Sequence, residues 1–571
     1  MKRLIPGLLF LLCSYSMVAQ SLNLRGQVLD KQTQEPVPFV NIRLNNFYYG
    51  TSTNLDGRFE LKLTPERFEG QDELRITAIG YKTQITRLAQ LNPERYQTIY
   101  LEPVSTRLDG VTIKSARARR KENTQAKTLV MDALDNIPHN RPKNHYMANA
   151  FYRHYCKEDD HYVRLIEAGL DIYQQRKDKQ FVQIPEQRLA FKVGQLRRSF
   201  DFTESARLEH THFSLNFLIA NDITAYEFHN PLRRNLDNYQ FRFADTTKLD
   251  GRVIFVIDFE TKEEKLNQLC YEGTLFIEKD HLAFLRADIT ERQIRSSKLD
   301  SINTRLRKQV FFERIGKAVY PSRLSSDLEA YHYSFDTLSG KIKDKVSHEA
   351  HVELMNNAIH PDNRQEIEGA EPTRQMLRKI NYDSVFWKNY TVLKATPLEE
   401  EIIADLSAKL DLHKQFEAFN RLEEGAESVI KTPEFQSILE QYEGTPVYAV
   451  LWAGWSLPNF YELVPSPTLR KLIKKGKVAL ILVSLDATDA EWEMNRDING
   501  FNQNGIMHHR LNFEFDSEIT RKFFDSALPD YLLFDKLGAL FDAEPPLPNA
   551  TEVKNYYQEL VNQKVQSAEN R

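Results

Sequence analysis

The chain has 571 residues, 41% of them hydrophobic and 27% charged, with a net charge of −4. At roughly 150 residues per domain this ordinary globular composition allows about four domains. The near-balanced charge excludes the electrostatic footprint of a nucleic-acid binder or of a protein held on an anionic membrane surface.

Residues 1–20, MKRLIPGLLFLLCSYSMVAQ, read as a secretory signal. Lys2 and Arg3 form its basic end, Leu4 to Leu12 its apolar core, and Met17-Val18-Ala19-Gln20 its cleavage site. No stretch reaches the about 18 apolar residues of a membrane-spanning helix, so none is expected. Cys13 follows Leu12, where lipoprotein signals place a small residue, so lipid attachment is not expected. Cys13 leaves with the signal, and Cys156 and Cys270 remain, 114 residues apart. They either form a disulfide, contributing about 4–5 kcal/mol on the loop-entropy model, or stay as two separate buried thiols. Both readings are open. Neither cysteine lies in a CxxC, so neither is read as catalytic.

Residues 22–115 alternate apolar and polar residues in short runs separated by Asp30, Pro36 and Pro38. That pattern predicts the strands of an all-β sandwich, Ig-like or prealbumin-like. Asp56-Gly57 is expected to be a hairpin turn, because positive φ costs Gly nothing. A calcium loop at Asn54, Asp56 and Glu60 is set aside, since an EF-hand needs twelve residues, a terminal Glu and flanking helices. The order Gly26-Gln27-Val28, Pro36-Val37-Pro38, Asn54-Leu55-Asp56-Gly57-Arg58-Phe59, Ile79-Gly80-Tyr81, Leu101-Glu102-Pro103 resembles the carboxypeptidase regulatory-like domain of Gram-negative cell-envelope proteins. The resemblance implies a periplasmic or outer-membrane-associated protein. The chain is too short to add a receptor barrel after this domain. SARARRKEN, 115–123, reads as a solvated basic connector.

Residues 124–395 open with an amphipathic helix carrying Leu129, Ala133 and Ile137 at helical spacing. Long runs of β-branched and aromatic alternation follow, with turns at Glu278-Lys279-Asp280 and Ile315-Gly316-Lys317. They predict one large, curved antiparallel sheet with a helix packed on it, an α+β domain. The piece GTLFIEKDHLAFLRADI and its continuation VFFERIGKAVYPSRL resemble the half-barrel of LolA-like lipoprotein carriers. That resemblance implies either an acyl-chain groove or a filled core. Glu209-His210-Thr211-His212 and His348-Glu349-Ala350-His351 lack the helical i, i+4 spacing of zinc proteases and are read as exposed histidines. No metal site is expected.

Residues 396–430 predict a helical connector, with Thr432 capping a further helix that begins at Pro433. Residues 431–568 then read strand, helix, strand, followed by strand, strand, helix. Trp452-Ala453-Gly454-Trp455, Val483-Ser484-Leu485-Asp486, Leu528-Pro529-Asp530 and Phe534-Asp535-Lys536-Leu537-Gly538 resemble, in order, the markers of TlpA-like thiol-disulfide oxidoreductases. The resemblance implies an α/β thioredoxin fold. Its chemistry does not follow, because Ser456 and Asn459 stand where the two thiols belong, and exchange needs an attacking thiolate and a resolving thiol. Ser456 is read as a helix cap rather than a nucleophile; His508 and His509 are the candidate bases nearest in sequence.

These readings combine into a non-catalytic envelope binding or assembly protein with a redox-inactive thioredoxin-like domain and no cofactor. Its expected partner is an envelope protein or extended peptide, with peripheral outer-membrane association. The expected peptide contacts are Trp455, Ser456, Leu457, Asn459, Leu528 and Pro529. Two rivals stand: an oxidoreductase using Cys156 or Cys270, and a lipid or lipoprotein carrier using the central sheet.

Overall fold

The computed structural model describes residues 22–44, 49–63, 72–104, 116–175, 188–200, 202, 218, 231–263, 267–297, 300–336, 341–361, 363, 380–392, 397–409, 411–418, 429–453, 463–486, 488–498, 506–511, 528, 530–543, 545–550, 556, 557, 560 and 561.

The first β region holds β1 (Leu22–Asp30), β2 (Asn41–Leu44), β3 (Tyr49–Ser52), β4 (Arg58–Leu63), β5 (Glu73–Thr77), β6 (Gln84–Arg87) and β7 (Gln97–Leu101). Period-two alternation places Leu24 and Val28 of β1 and Phe59, Leu61 and Leu63 of β4 in one core with Ile42, Leu44, Leu74 and Ile76. One layer has the order β4-β1-β7, antiparallel then parallel. Gly26 allows β7 its close approach, since a Cβ there would lie 2.3 Å from the Gln97 carbonyl oxygen. The second layer is β3-β2-β5-β6.

Asp56-Gly57 does turn the chain, with φ of +68° at Gly57. It is a corner rather than a two-strand hairpin, because β3 and β4 belong to different sheets. Asn54 Oδ1 accepts the N–H groups of Asp56 at 3.0 Å and Arg58 at 2.9 Å, so this side chain braces the turn itself.

The regulatory-like region is not a detached unit. Tyr49 of β3 pairs with Ala358 of β17 (Ile342–Pro361), and this bridge makes the second layer part of a 14-stranded sheet. Arg43 donates to the carbonyls of Asn356 and Asn357 at 2.8 and 3.2 Å and pairs with Glu313 at 2.9 Å. Arg75 pairs with Asp250 at 2.6 Å.

The rest of that sheet is formed by the antiparallel strands β8 (Tyr146–Glu158), β9 (His161–Gln175), β10 (Arg188–Arg198), β11 (Tyr239–Leu249), β12 (Arg252–Thr261), β13 (Cys270–Glu278), β14 (Phe284–Ser296), β15 (Asp300–Ile315) and β16 (Ala318–Phe335), and α1 (Ala116–Asp135) packs on it. They run β11-β12-β13-β14-β15-β16-β17, then β8-β9-β10 on the far side of β17, in a curled half-barrel. The turn at Gly316, φ +62°, joins β15 to β16 as expected. The basic stretch 115–123 is helical from Ala116 onward, so the connector is the first turns of α1 rather than a free linker. Ala126, Val130, Ala133 and Leu134 of α1 share one core with Phe241 and Ile254 near one end of the strand order and with Ala168 and Leu170 near the other. A helix in one core with both ends of a curled sheet sits on its concave side. Asn123 fixes it there, accepting the Phe241 N–H at 2.7 Å.

Three short helices follow, α2 (Ser384–Asn389), α3 (Pro397–Lys409) and α4 (Leu412–Ala418). Trp387 of α2 packs on Phe151 and Met355, and Ile402, Leu406, Leu412 and Phe416 of α3 and α4 cover Leu165 and Phe200.

The C-terminal region contains α5 (Pro433–Glu440), β18 (Val447–Trp452), α6 (Pro467–Lys474), β19 (Ala479–Ser484), α7 (Asp489–Ile498), β20 (Ile506–Arg510), β21 (Asp530–Phe534) and β22 (Leu540–Asp542). The sheet order is β20-β19-β18-β21-β22, with the first three parallel and the last two antiparallel. This is the expected strand-helix-strand, strand-strand arrangement with one more strand, β20, which the sequence reading missed. Thr432 caps α5, its Oγ1 accepting the Phe435 N–H at 3.3 Å. β18 is buried along its whole length: Val447, Ala449 and Leu451 face α5, and Tyr448, Val450 and Trp452 face α6. None of the described helices is long and apolar enough to cross a membrane.

Candidate functional site

The candidate site lies at the carboxyl ends of β18, β19 and β20, the edge of a parallel sheet where ligands of open α/β folds gather. Parallel register sets Trp452 beside Ser484 and Ser484 beside Arg510. The Leu485 N–H donates to the Trp452 carbonyl at 2.8 Å, and the Leu511 N–H to the Ser484 carbonyl at 2.8 Å, so the three strand ends leave the sheet together. Ser484 and Asp486 are both buried. Ser484 Oγ donates to Asp486 Oδ2 at 2.7 Å and accepts the Asp486 N–H at 2.9 Å. Arg510 donates to the Asp486 carbonyl at 3.2 Å and to Asp489 at 2.6 Å. This hydroxyl, carboxylate and guanidinium set holds the loop after β19 in shape.

Of the expected contact residues, Trp455, Ser456, Leu457, Asn459 and Pro529 lie outside the described residues. Leu528 is described, and its side chain is 2% exposed in the core with Leu451, Ala453, Val483 and Leu485. Its side chain is taken up by that core, so the peptide contact expected at Leu528 would be made by its backbone. His509 is engaged elsewhere: its Nε2 meets the Tyr442 hydroxyl at 2.7 Å, and burial lowers the pKa of its ring.

The disulfide reading is corrected. Cys156 on β8 and Cys270 on β13 are free thiols, both buried. Strands β14, β15, β16 and β17 lie between them in the sheet, whereas a disulfide requires Cα atoms within about 7 Å. Cys156 Sγ lies 3.3 Å from His154 Nε2 and 3.2 Å from the Arg164 guanidinium.

A second polar cluster, missed in the sequence, crosses one face of five neighbouring strands. It runs from Asp327 on β16 through His351 and Glu353 on β17, Arg153 on β8 and Glu167 on β9 to Arg197 on β10. Arg153 pairs with Glu167 at 2.8 Å, Arg197 with Glu167 at 2.5 Å and Arg323 with Glu353 at 2.9 Å. His351 Nδ1 meets Asp327 at 2.6 Å, and its Nε2 lies 3.7 Å from Glu353. Burial acts against charge on His351, but the hydrogen bonds and charges of Asp327 and Glu353 outweigh it and raise the pKa to about 9. Burial would raise Glu353, yet His351, Arg323 and Arg153 hold it well below the usual carboxylate range. The expectation of exposed histidines fails at His348, which is buried, and at His351, which is ion-paired and stacks on Tyr155 at 4.9 Å. Glu209-His210-Thr211-His212 lies outside the described residues. Trp387 covers Arg197 at 4.4 Å and Phe39 covers Arg323 at 4.3 Å, so the row is a clamp closed by aromatic rings.

Comparison with known proteins assigns one stretch of the chain. Residues 24–113 match the family model of the CarboxypepD_reg-like domain. This stretch is a carboxypeptidase regulatory-like domain, as its turn and strand motifs suggested. No curated protein matches the chain. Among solved structures, a candidate thiol-disulfide oxidoreductase from Bacteroides vulgatus, determined in solution, is 22% identical and aligns over 22% of this chain and 78% of its own, with a TM-score of 0.17. A crystal structure of a candidate thiol-disulfide oxidoreductase from the same organism is 25% identical over 21% and 82%, TM-score 0.17. A thiol-disulfide oxidoreductase from Bacteroides fragilis is 15% identical over 23% and 85%, TM-score 0.15.

Proposed function

We propose that this is a cell-envelope binding protein whose C-terminal α/β region recognises an extended peptide or protein segment by contact, without thiol chemistry. The carrying observation is the placement of sulfur. After residues 1–20 the chain has two cysteines, both buried in the central sheet, and Ser456 and Asn459 stand where the resemblance to thiol-disulfide oxidoreductases would put the two exchange thiols. A buried thiol cannot reach a substrate disulfide, and a hydroxyl has no redox couple. What the fold retains is the carboxyl edge of a parallel sheet, braced by Ser484, Asp486 and Arg510 beside the end of β18. The export-signal pattern of residues 1–20 supports location beyond the inner membrane.

The test pairs two assays on the purified chain beginning at residue 21. Insulin reduction by dithiothreitol should proceed at the uncatalysed rate, and a Cys156→Ala, Cys270→Ala chain should behave identically. Photo-crosslinking to a random-sequence peptide pool should label the chain, and Trp455→Ala should reduce the labelling. Catalysed insulin reduction, or labelling indifferent to Trp455, overturns the reading. The lipid-carrier alternative has less support, because α1 fills the concave face with Ala126, Val130, Ala133 and Leu134.

A further inference from the structure

The three-stranded layer of the regulatory-like domain has two outer edges, and they are treated differently. The β4 edge alternates charged residues, Arg58, Glu60 and Lys62, and is covered: the Lys62 N–H donates to Thr391 Oγ1 at 3.0 Å, and the Lys62 carbonyl accepts Tyr49 at 3.1 Å. The β7 edge is Gln97-Thr98-Ile99-Tyr100-Leu101, with no charge, no proline and no bulge. Natural sheets blunt exposed edges with such devices, and an edge without them is a template for another strand.

Backbone parity shows which groups are offered. The Gln97 carbonyl faces Gly26 of β1, and the Leu101 carbonyl accepts the Lys31 N–H at 2.9 Å. Backbone polar groups alternate sides along a strand, so the N–H and C=O of Thr98 and Tyr100 point away from β1. Among the described residues those groups have no hydrogen-bond partner. They open onto a groove of about 340 Å³ whose other wall is the outer edge of β6, through Gln84 and Thr86. Beyond Leu101 the backbone pairs instead, Tyr81 with Pro103. Ile76 and Ile99 line the groove, and Lys31 is its only charged lining residue among the described ones. Exposed Ile85 and Tyr100 stand on the two strands that flank it.

We propose that this groove is a second binding site, taking an extended peptide that pairs with β7 as an added strand and presents an acidic side chain to Lys31. Unpaired backbone groups at alternate residues select extended backbone, the apolar lining selects small aliphatic side chains, and the single cation selects one carboxylate. The site lies in a different sheet from the C-terminal edge discussed above and does not depend on that reading.

The experiment uses the chain from residue 21 and a fluorescein-labelled peptide, GSTVDVTVGS, read by fluorescence anisotropy. Two copies of the peptide carry N-methyl groups on one or the other set of alternate residues. The unmodified peptide should bind. One N-methyl set should weaken binding about ten-fold, the loss expected for one or two hydrogen bonds, while the other set should not. Thr98→Pro should cause a similar loss with an unchanged melting temperature, since proline is tolerated on an edge. Lys31→Glu should favour a peptide with Lys in place of Asp, and Trp455→Ala should leave binding intact. Absence of binding, equal binding of both N-methylated peptides, or full binding by a folded Thr98→Pro chain overturns the proposal. If that variant does not fold, the two N-methylated peptides still decide.

Discussion

The ring of Phe39 lies under the guanidinium of Arg323 at 4.3 Å, joining the N-terminal domain to the buried charged row of the central sheet. The same ring meets Phe311 at 5.0 Å. Its backbone has φ of +60°, a conformation that disfavours a bulky side chain. The contact therefore holds against local strain, and the two regions form one packed body at this point.

Phe39→Ala should lower stability by about 2 kcal/mol, combining a lost cation–π contact with lost apolar burial of a half-buried ring. Urea unfolding followed by circular dichroism measures this. A loss below about 0.5 kcal/mol, the range of ordinary surface changes, would show that the ring does not join the two regions.

Stability should depend on pH through His351 and Glu353. The folded pKa of His351 is raised to about 9, above its ordinary value, so its contribution is complete below about pH 6.5 and is lost as pH rises through about 9. Glu353 is lowered, so its contribution is present above its ordinary carboxylate range and is lost as pH falls below that range. Melting temperature should accordingly peak between about pH 5 and 6.5. His351→Gln should flatten the alkaline limb; an unchanged limb excludes this imidazole as its source.

Glu353→Gln removes the negative charge shared by Arg153, Arg323 and His351. Breaking a buried network from one side costs about 3–5 kcal/mol. Thermal unfolding should show that loss, and a variant as stable as the parent would mean that water reaches the row.

Ala133 of α1 is fully buried against the concave sheet. Ala133→Leu should therefore cost about 1–3 kcal/mol by overpacking. A neutral or stabilising result would reveal spare volume under α1 and revive the carrier reading.

Both thiols should be silent in the folded state. Iodoacetamide should label Cys156 and Cys270 only after denaturation, and intact mass without reductant should report two free thiols. Rapid labelling of either native thiol would restore it as a redox candidate.

Local pattern was informative where burial follows chain periodicity. The alternation in Arg58–Leu63, the apolar run Val447–Trp452 and the cap at Thr432 all correspond to the observed elements. It failed where polar residues are buried by partners far along the chain. His351 read as a surface residue because its partner, Asp327, lies on another strand. It failed also at residues 116–123, where the polar face of α1 looked like a linker.

By itself the sequence determined the β-rich character of the chain and the regulatory-like stretch that the family model matches over residues 24–113. Those features follow from side-chain chemistry and short-range spacing, which need no partner to be read. Only the tertiary structure decided that Tyr49 pairs with Ala358, that a charged row is capped by Phe39 and Trp387, and that among the described residues no strand pairs with the outer edge of β7. Strand order and register are set by which surfaces fit together across the folded chain, and that long-range choice leaves no local periodicity.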